Sequence, residues 1–207
     1  MTADQSLHYT DDPEANRLNA SDPMALLIGF VLDQQVPVQK AFSGPLELKG
    51  RIGTLDARRI ADMSPDDLEA AFAQRPALHR FPAAMAKRVQ ALAAAVAESY
   101  GDDASRIWTD AVDGPDLVKR IGALPGFGGM KVRSLTAVLG KRLGVRLPGM
   151  DEVMPSYPTL GDVDSAEALA EYQAQKRAYK AQLRESGEKF EPWADKREAA
   201  TYAKGRR

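Results

Sequence analysis

The chain has 207 residues, with 28 basic and 29 acidic side chains and a formal net charge of -1. That length is enough for one sizeable domain with its own core. The absence of cysteine excludes disulfides, thiolate iron-sulfur clusters and cysteine nucleophiles, and with only His8 and His79 as histidines we expect no metal and no cofactor.

No apolar run in the sequence approaches the ~20 residues of a membrane-spanning helix. The first residues, MTADQSLHYTDDPEANRL, are polar and acidic, whereas a secretory signal begins with basic residues followed by an apolar stretch. We therefore expect a cytoplasmic protein with no membrane partner.

The first predicted helix follows a polar N-terminal segment, residues 1–20. Ser21 or Asp22 can cap this helix, and Pro23 fits its first turn. Apolar residues then continue through Leu32 on every side, so we expect the helix to be buried at the centre of the domain. It ends near the stretch Asp33-Gln34-Gln35-Val36-Pro37.

Three further helices are predicted before residue 101. One follows Val36 toward Phe42, and a second opens at Ser64 with Pro65 in its first turn. The third covers residues 82–99, where apolar residues recur at helical spacing.

The second half of the chain continues this helical pattern. One helix is expected from Gly114, another from Gly129 to Leu143, and a long one from Ser165 toward Arg184. We therefore predict an all-α protein. Residues 21–160 would form the helical domain, and residues 161–207 a C-terminal helix with a mobile charged tail.

Charge is distributed unevenly along the chain. Residues 115–147 contain seven basic side chains and one acidic one, so this segment has a net charge of +6 while the remainder carries -7. A solvated pair of helices would explain such a segment, but so would a surface that binds phosphate.

The two helices of the basic segment are joined by Leu124-Pro125-Gly126-Phe127-Gly128. The two glycines permit unusual backbone angles and the close approach of another backbone, and Phe127 can anchor the turn from inside. The N–H groups that begin the next helix would then face outward at the positive end of its dipole.

This hairpin predicts contacts with the phosphates of double-stranded DNA, strengthened by the nearby charges of Lys131 and Arg133. The alternative is a tight turn between two helices with a purely structural role. With two glutamines discussed below, the predicted DNA-binding residues are Gln34, Gln35, Leu124, Gly126, Phe127, Gly128, Gly129, Met130, Lys131 and Arg133.

Together, the hairpin and the stretch Leu26-Leu27-Ile28-Gly29-Phe30-Val31-Leu32-Asp33-Gln34-Gln35-Val36 resemble the HhH-GPD superfamily of base-excision DNA glycosylases. The resemblance covers roughly residues 20–160 and is greatest to the alkyladenine branch. It implies a two-lobed helix-hairpin-helix fold, with one lobe from the N- and C-terminal segments, another around the hairpin, and the DNA groove between them. It also implies base extrusion from DNA followed by cleavage of the N-glycosidic bond.

In that branch the glutamine segment lies near the DNA and the base pocket. The resemblance therefore makes Gln34 and Gln35 candidates to fill the gap left by a flipped base or to contact the opposite strand, and it favours alkylated bases. Capping and loop hydrogen bonds are the alternative role for both glutamines.

The family signature places an essential aspartate after a Gly/Pro-rich loop, and Leu147-Pro148-Gly149-Met150-Asp151 is the matching segment here. Asp151 is therefore the predicted catalytic residue, whose carboxylate would stabilise the oxocarbenium character of the departing sugar. Asp151 could instead be a helix N-cap ahead of Glu152, and Asp33 is a weaker rival for the catalytic role.

One departure from the family pattern concerns strand cleavage. Family members that nick the strand carry a Schiff-base lysine two positions after the second hairpin glycine, where this chain has Met130. Lys131 lies one residue further, about 100° around a helix. We therefore expect a monofunctional DNA N-glycosylase without lyase activity. It would be monomeric, and nucleoid-associated when bound to DNA. The alternatives are a non-catalytic DNA-binding module and a helical interaction protein.

Overall fold

The computed structural model describes residues 6–186, and every regular element in that range is helical, which confirms the all-α prediction. The predicted mobile tail beyond residue 186 lies outside the described residues. The helices are α1 (Pro13–Ser21), α2 (Pro23–Leu32), α3 (Val38–Ile52), α4 (Ala57–Ala61), α5 (Pro65–Ala73), α6 (Pro82–Tyr100), α7 (Arg106–Thr109), α8 (Gly114–Gly122), α9 (Gly129–Lys141), α10 (Met150–Val153) and α11 (Ala166–Ser186), with a 3-10 turn at Leu160–Asp162.

Helix α2 lies at the centre of the first group of helices, as its apolar sequence predicts. The Asp22 side chain accepts hydrogen bonds from the N–H groups of Met24 and Ala25, and every residue from Met24 to Leu32 is buried. Helices α1, α3 and α6 pack around it. The Phe42 ring of α3 meets the Phe30 ring of α2 edge-on, with centroids 5.3 Å apart.

Helix α1 was not predicted, because its buried face carries little apolar signal. That face consists of Ala15, Asn16 and Asn19, and the side-chain amides of the two asparagines form hydrogen bonds with backbone groups. Tyr9, just before α1, is fully buried. Much of the predicted polar N-terminal segment therefore belongs to the core.

Helix α3 is longer than predicted because it continues through Gly44 and Pro45. Pro45 has no N–H to donate to the carbonyl one turn earlier, yet the helix runs on to Ile52. Gly44 allows α3 to lie directly on α2, since a Cβ at this position would come 2.4 Å from a methyl carbon of Leu32.

The second group of helices contains the predicted hairpin. Helix α8 packs on α9, α10 contacts both, and the 3-10 turn lies on α9 so closely that a Cβ at Gly161 would come 2.6 Å from the carbonyl carbon of Ala137. The two groups are joined where the Tyr9 hydroxyl donates to the Leu160 carbonyl over 2.7 Å. Gln39 of α3 and Gln173 of α11 add a second connection through their side-chain amides.

Candidate nucleic-acid interface

The segment between α8 and α9 forms a tight hairpin, as predicted. The Phe127 N–H donates to the Leu124 carbonyl over 3.2 Å, and Gly126 adopts a left-handed backbone with φ of 87°. Both Leu124 and Phe127 are buried. The glycine is thus required by the turn, and the two apolar side chains anchor it from inside.

The hairpin is fixed against α2. The Phe127 ring lies 6.3 Å from the Phe30 ring, and a Cβ at Gly126 would already touch the Val31 side chain at 3.4 Å. This contact sets the start of α9 beside the end of α2, where the two predicted glutamines follow.

The N-terminus of α9 is open to solvent. Gly128 is its N-cap residue and has no side chain to accept from the first turn, so the N–H groups of Gly129 and Met130 are left for an outside partner, whereas that of Lys131 donates to the Gly128 carbonyl over 2.9 Å. A Cβ at Gly128 or Gly129 would meet nothing within 4 Å. A phosphate oxygen could therefore approach this turn without steric hindrance.

Beside this turn lies a cavity of about 410 Å³, formed where α2, α9, α11 and the segment before the 3-10 turn meet. This volume falls within the range of about 300–1,000 Å³ typical of small-molecule sites. The lining residues include acidic, basic, amide and aromatic side chains: Phe30, Asp33, Gln34, Gln35, Val36, Met130, Lys131, Ser134, Tyr157, Pro158, Thr159, Leu160, Tyr172 and Lys176.

Lys131 points into this cavity, whereas the sequence interpretation placed its charge beside an external phosphate. Its Nζ donates to the Val31 carbonyl over 3.1 Å. Burial lowers the pKa of Lys131 to about 8, an effect that the nearby negative charge of Asp33 only partly offsets. The side chain is thus a desolvated amine at the first turn of the hairpin helix.

Asp33 is the carboxylate that the fold brings to this cavity. It ends α2 as the C-cap residue, and its N–H donates to the Gly29 carbonyl over 3.0 Å. Its side chain nevertheless lines the cavity and acts electrostatically on both Lys131 and Tyr172. The backbone of Asp33 therefore ends α2, while its carboxylate lies at the cavity near Lys131 and Tyr172.

Gln34 and Gln35 form the turn after Asp33, and both line the cavity. Gln34 donates from its amide to the Val31 carbonyl over 3.1 Å and accepts a hydrogen bond from Arg88 of α6. Gln35 is exposed and has a left-handed backbone with φ of 56°, which is uncommon for a residue other than glycine. The turn therefore holds one glutamine in a network and presents the other to solvent.

The remaining predicted residues of α9 lie at the edge of the cavity. Met130 is 44% exposed, although its side chain is large and apolar. Arg133 is half-buried, and its guanidinium donates to the Tyr157 hydroxyl over 3.4 Å. Of the two predicted phosphate-binding cations, Arg133 thus lies at the cavity edge while Lys131 is turned inward.

The structure does not bring Asp151 to this cavity. Asp151 is exposed on α10, whose Met150 packs near Gly140 at the far end of α9. Gly140 is 11 residues from Gly129, or about 16 Å along the helix axis. The N-cap of α10 is Gly149, so Asp151 does not have the capping role considered for it either.

Comparisons with protein-family models, with curated proteins and with solved structures find no match for this chain. Within residues 6–186, no group of three or more His, Asp or Glu side chains is arranged to hold a metal ion. No helix in that same range has the length and apolar character needed to cross a bilayer.

A second basic segment was missed in the sequence, although it could have been found by the same charge count. Residues 70–97 contain no acidic residue and four basic ones, Arg75, Arg80, Lys87 and Arg88. Arg88 bonds the Gln34 side chain and Lys131 bonds the Val31 carbonyl, so both basic segments contact the end of α2 or the turn after it. The cavity-lining residues from Tyr157 to Leu160 show no charge pattern that could have been found in the sequence. They reach the cavity only because the folded chain returns to α9.

Proposed function

We propose that this protein is a DNA N-glycosylase that holds an extruded base in the cavity between α2, α9 and α11. The observation that carries the proposal is that one cavity joins the open N-terminus of the hairpin helix to a carboxylate and an amine, Asp33 and Lys131. A site with these groups can fix a phosphate at its edge and perform chemistry on the attached nucleotide inside.

DNA binding is supported by the distribution of charge. The basic segments 70–97 and 115–147 both contact the end of α2 or the turn after it, in a chain whose net charge is -1. Cations arranged in this way attract a polyanion, and each phosphate contact releases counterions. The uncapped first turn of α9 adds backbone N–H donors, which position DNA without reading its sequence.

The chemistry proposed for Asp33 is electrostatic. As the bond between base and sugar breaks, positive charge develops at C1′, and a carboxylate held beside it lowers the barrier. Asp33 takes this role in place of Asp151, because Asp33 lines the cavity and Asp151 lies at the opposite end of α9. Aromatic side chains of the lining, Tyr157 and Tyr172, offer surfaces against which a base can stack.

The test is base release from duplexes that contain alkylated, deaminated or oxidised bases, with heat and alkali used to reveal abasic sites. We expect release from at least one duplex at low salt. Salt-sensitive binding without release from any duplex would contradict the catalytic role and favour a DNA-binding module. Absence of binding would contradict the DNA interface as well.

Strand cleavage at abasic sites is a second candidate function, favoured by the buried amine of Lys131. In its neutral form this amine can add to the C1′ aldehyde of an abasic sugar and lose water to give an imine. Loss of a C2′ proton then expels the 3′ phosphate, and hydrolysis of the imine restores the lysine. The expectation of no lyase activity rested on Met130 and on the offset of Lys131 by about 100° around the helix, whereas Lys131 lines the cavity and bonds the Val31 carbonyl.

Borohydride trapping separates the two functions, because it needs a preformed abasic duplex and no base release. Wild type should become covalently attached to that duplex when the imine is reduced, whereas Lys131→Met should not. Equal attachment of both proteins, or of neither, would rule out Lys131 as the reacting amine.

A further inference from the structure

An exposed phenylalanine lies close to the cavity, outside the residues assigned above. Within residues 6–186 the large apolar side chains that are exposed are Phe81, Val112 and Met130, and Phe81 is 42% exposed. Phe81 immediately precedes α6, whose first residue is Pro82. Exposing an aromatic ring to water is unfavourable, so the exposed part of the Phe81 ring is apolar surface that a bound partner would favourably cover.

His79 holds Phe81 in place relative to the cavity. The Phe81 N–H donates to Nδ1 of His79 over 3.1 Å, so the ring proton of the neutral histidine is on Nε2, which donates to the Gln34 carbonyl over 2.9 Å. His79 is only 2% exposed, and its burial lowers its pKa, which favours this neutral form. The backbone of Phe81 is thereby tied to the glutamine turn that lines the cavity.

One arginine lies on this ring, and a second lies near His79 and Gln34. The Arg80 guanidinium lies over the Phe81 ring, 4.7 Å from its centroid, and Arg88 reaches from the next turns of α6 to the Gln34 side chain. Both belong to the basic segment 70–97. An exposed aromatic ring paired with arginine in a positive surface suits a partner that combines flat apolar faces with negative charge.

We propose that Phe81 and Arg80 form a stacking platform for an unpaired nucleobase of duplex DNA beside the cavity. Bases inside a matched duplex already stack on their neighbours, whereas an unpaired base offers a free face to an aromatic side chain. The platform would direct the protein to places where pairing is broken. This inference rests on the DNA interface of the proposed function but does not require base release.

The experiment compares two fluorescein-labelled duplexes of the same sequence, one fully paired and one with a single bulged nucleotide. Fluorescence anisotropy gives the dissociation constant for each, and the ratio of the two measures preference for the unpaired base. Wild type should prefer the bulged duplex, and Phe81→Ala should reduce that preference by about fivefold or more. Phe81→Trp should retain it.

Val112→Ala is the matched control, because Val112 is also an exposed apolar residue but lies between α7 and α8, whereas Phe81 is tied to the glutamine turn through His79. It should leave the preference unchanged. An unchanged preference in Phe81→Ala, or no preference in wild type, would overturn the platform. If wild type prefers the bulge but releases no base, the platform stands and the glycosylase proposal fails; if it binds neither duplex, both fail.

Discussion

Replacing Lys131 with methionine tests whether the cavity desolvates this amine. Burial lowers the pKa of Lys131 to about 8 from an ordinary value of 10.5. At about 1.36 kcal/mol per pKa unit, keeping the amine charged in the folded protein costs about 3 kcal/mol. Methionine removes that cost but also removes the hydrogen bond to the Val31 carbonyl, which contributes about 1 kcal/mol. Gln34 still donates to the same carbonyl.

We therefore expect Lys131→Met to increase the free energy of unfolding by about 2 kcal/mol at pH 7, and Tm by about 4–8 °C. The sign of its pH dependence follows from proton binding. Between pH 8 and 10.5 the unfolded chain holds the Lys131 proton more often than the folded chain, so wild-type stability rises with pH. The advantage of Lys131→Met is complete below pH 8 and is lost as pH approaches 10.5.

Urea unfolding monitored by circular dichroism at pH 7 and pH 10 measures this difference. Lys119→Met is the control, because Lys119 is exposed on α8 and its replacement changes the net charge equally. Equal changes in the free energy of unfolding in the two variants would contradict the desolvation of Lys131. The same gain in the free energy of unfolding by Lys131→Met at pH 7 and pH 10 would also contradict it.

Two further predictions concern the supports of the site. Burial lowers the pKa of His79, so the free energy of unfolding of wild type should fall as pH decreases below about 6.5. Urea titrations at pH 7 and pH 5 should show a smaller fall for His79→Gln. An equal fall in both proteins would contradict this. Gly161→Ala should lower Tm, because its Cβ would come 2.6 Å from the backbone of Ala137, whereas Gly50→Ala on the exposed side of α3 should raise stability by about 1 kcal/mol. If thermal scans show that Tm changes in the same direction in both glycine variants, close packing at Gly161 does not determine the effect.

Much of the fold could be predicted because its signals are local. Asp22 with Pro23 and Ser64 with Pro65 begin α2 and α5 as expected, since each pair combines a side-chain cap with a proline suited to the first turn. The hairpin could also be predicted, because its turn needs a residue with positive φ and the sequence places Gly126 there. These features depend little on the rest of the chain.

The candidate site was predicted only in part, because its cavity is assembled from distant segments. The sequence indicated the glutamine turn and the hairpin, but their contact through Phe30 and Phe127 depends on tertiary packing. Whether Lys131 points inward or outward is decided by the position of the Val31 carbonyl, 100 residues earlier in the chain. The choice between Asp33 and Asp151 likewise depends on the path of the chain after α9, which has no periodic pattern.

The most direct test of catalysis by Asp33 is base release by Asp33→Asn and Asp151→Asn, measured beside wild type on the duplex from which wild type releases base fastest. The two substitutions remove the same charge, one in the cavity and one on the exposed surface of α10. We expect Asp33→Asn to lose at least 100-fold in single-turnover rate, on the order of an electrostatic catalytic group, and Asp151→Asn to keep the wild-type rate. Loss of activity in Asp151→Asn with full activity in Asp33→Asn would contradict this expectation.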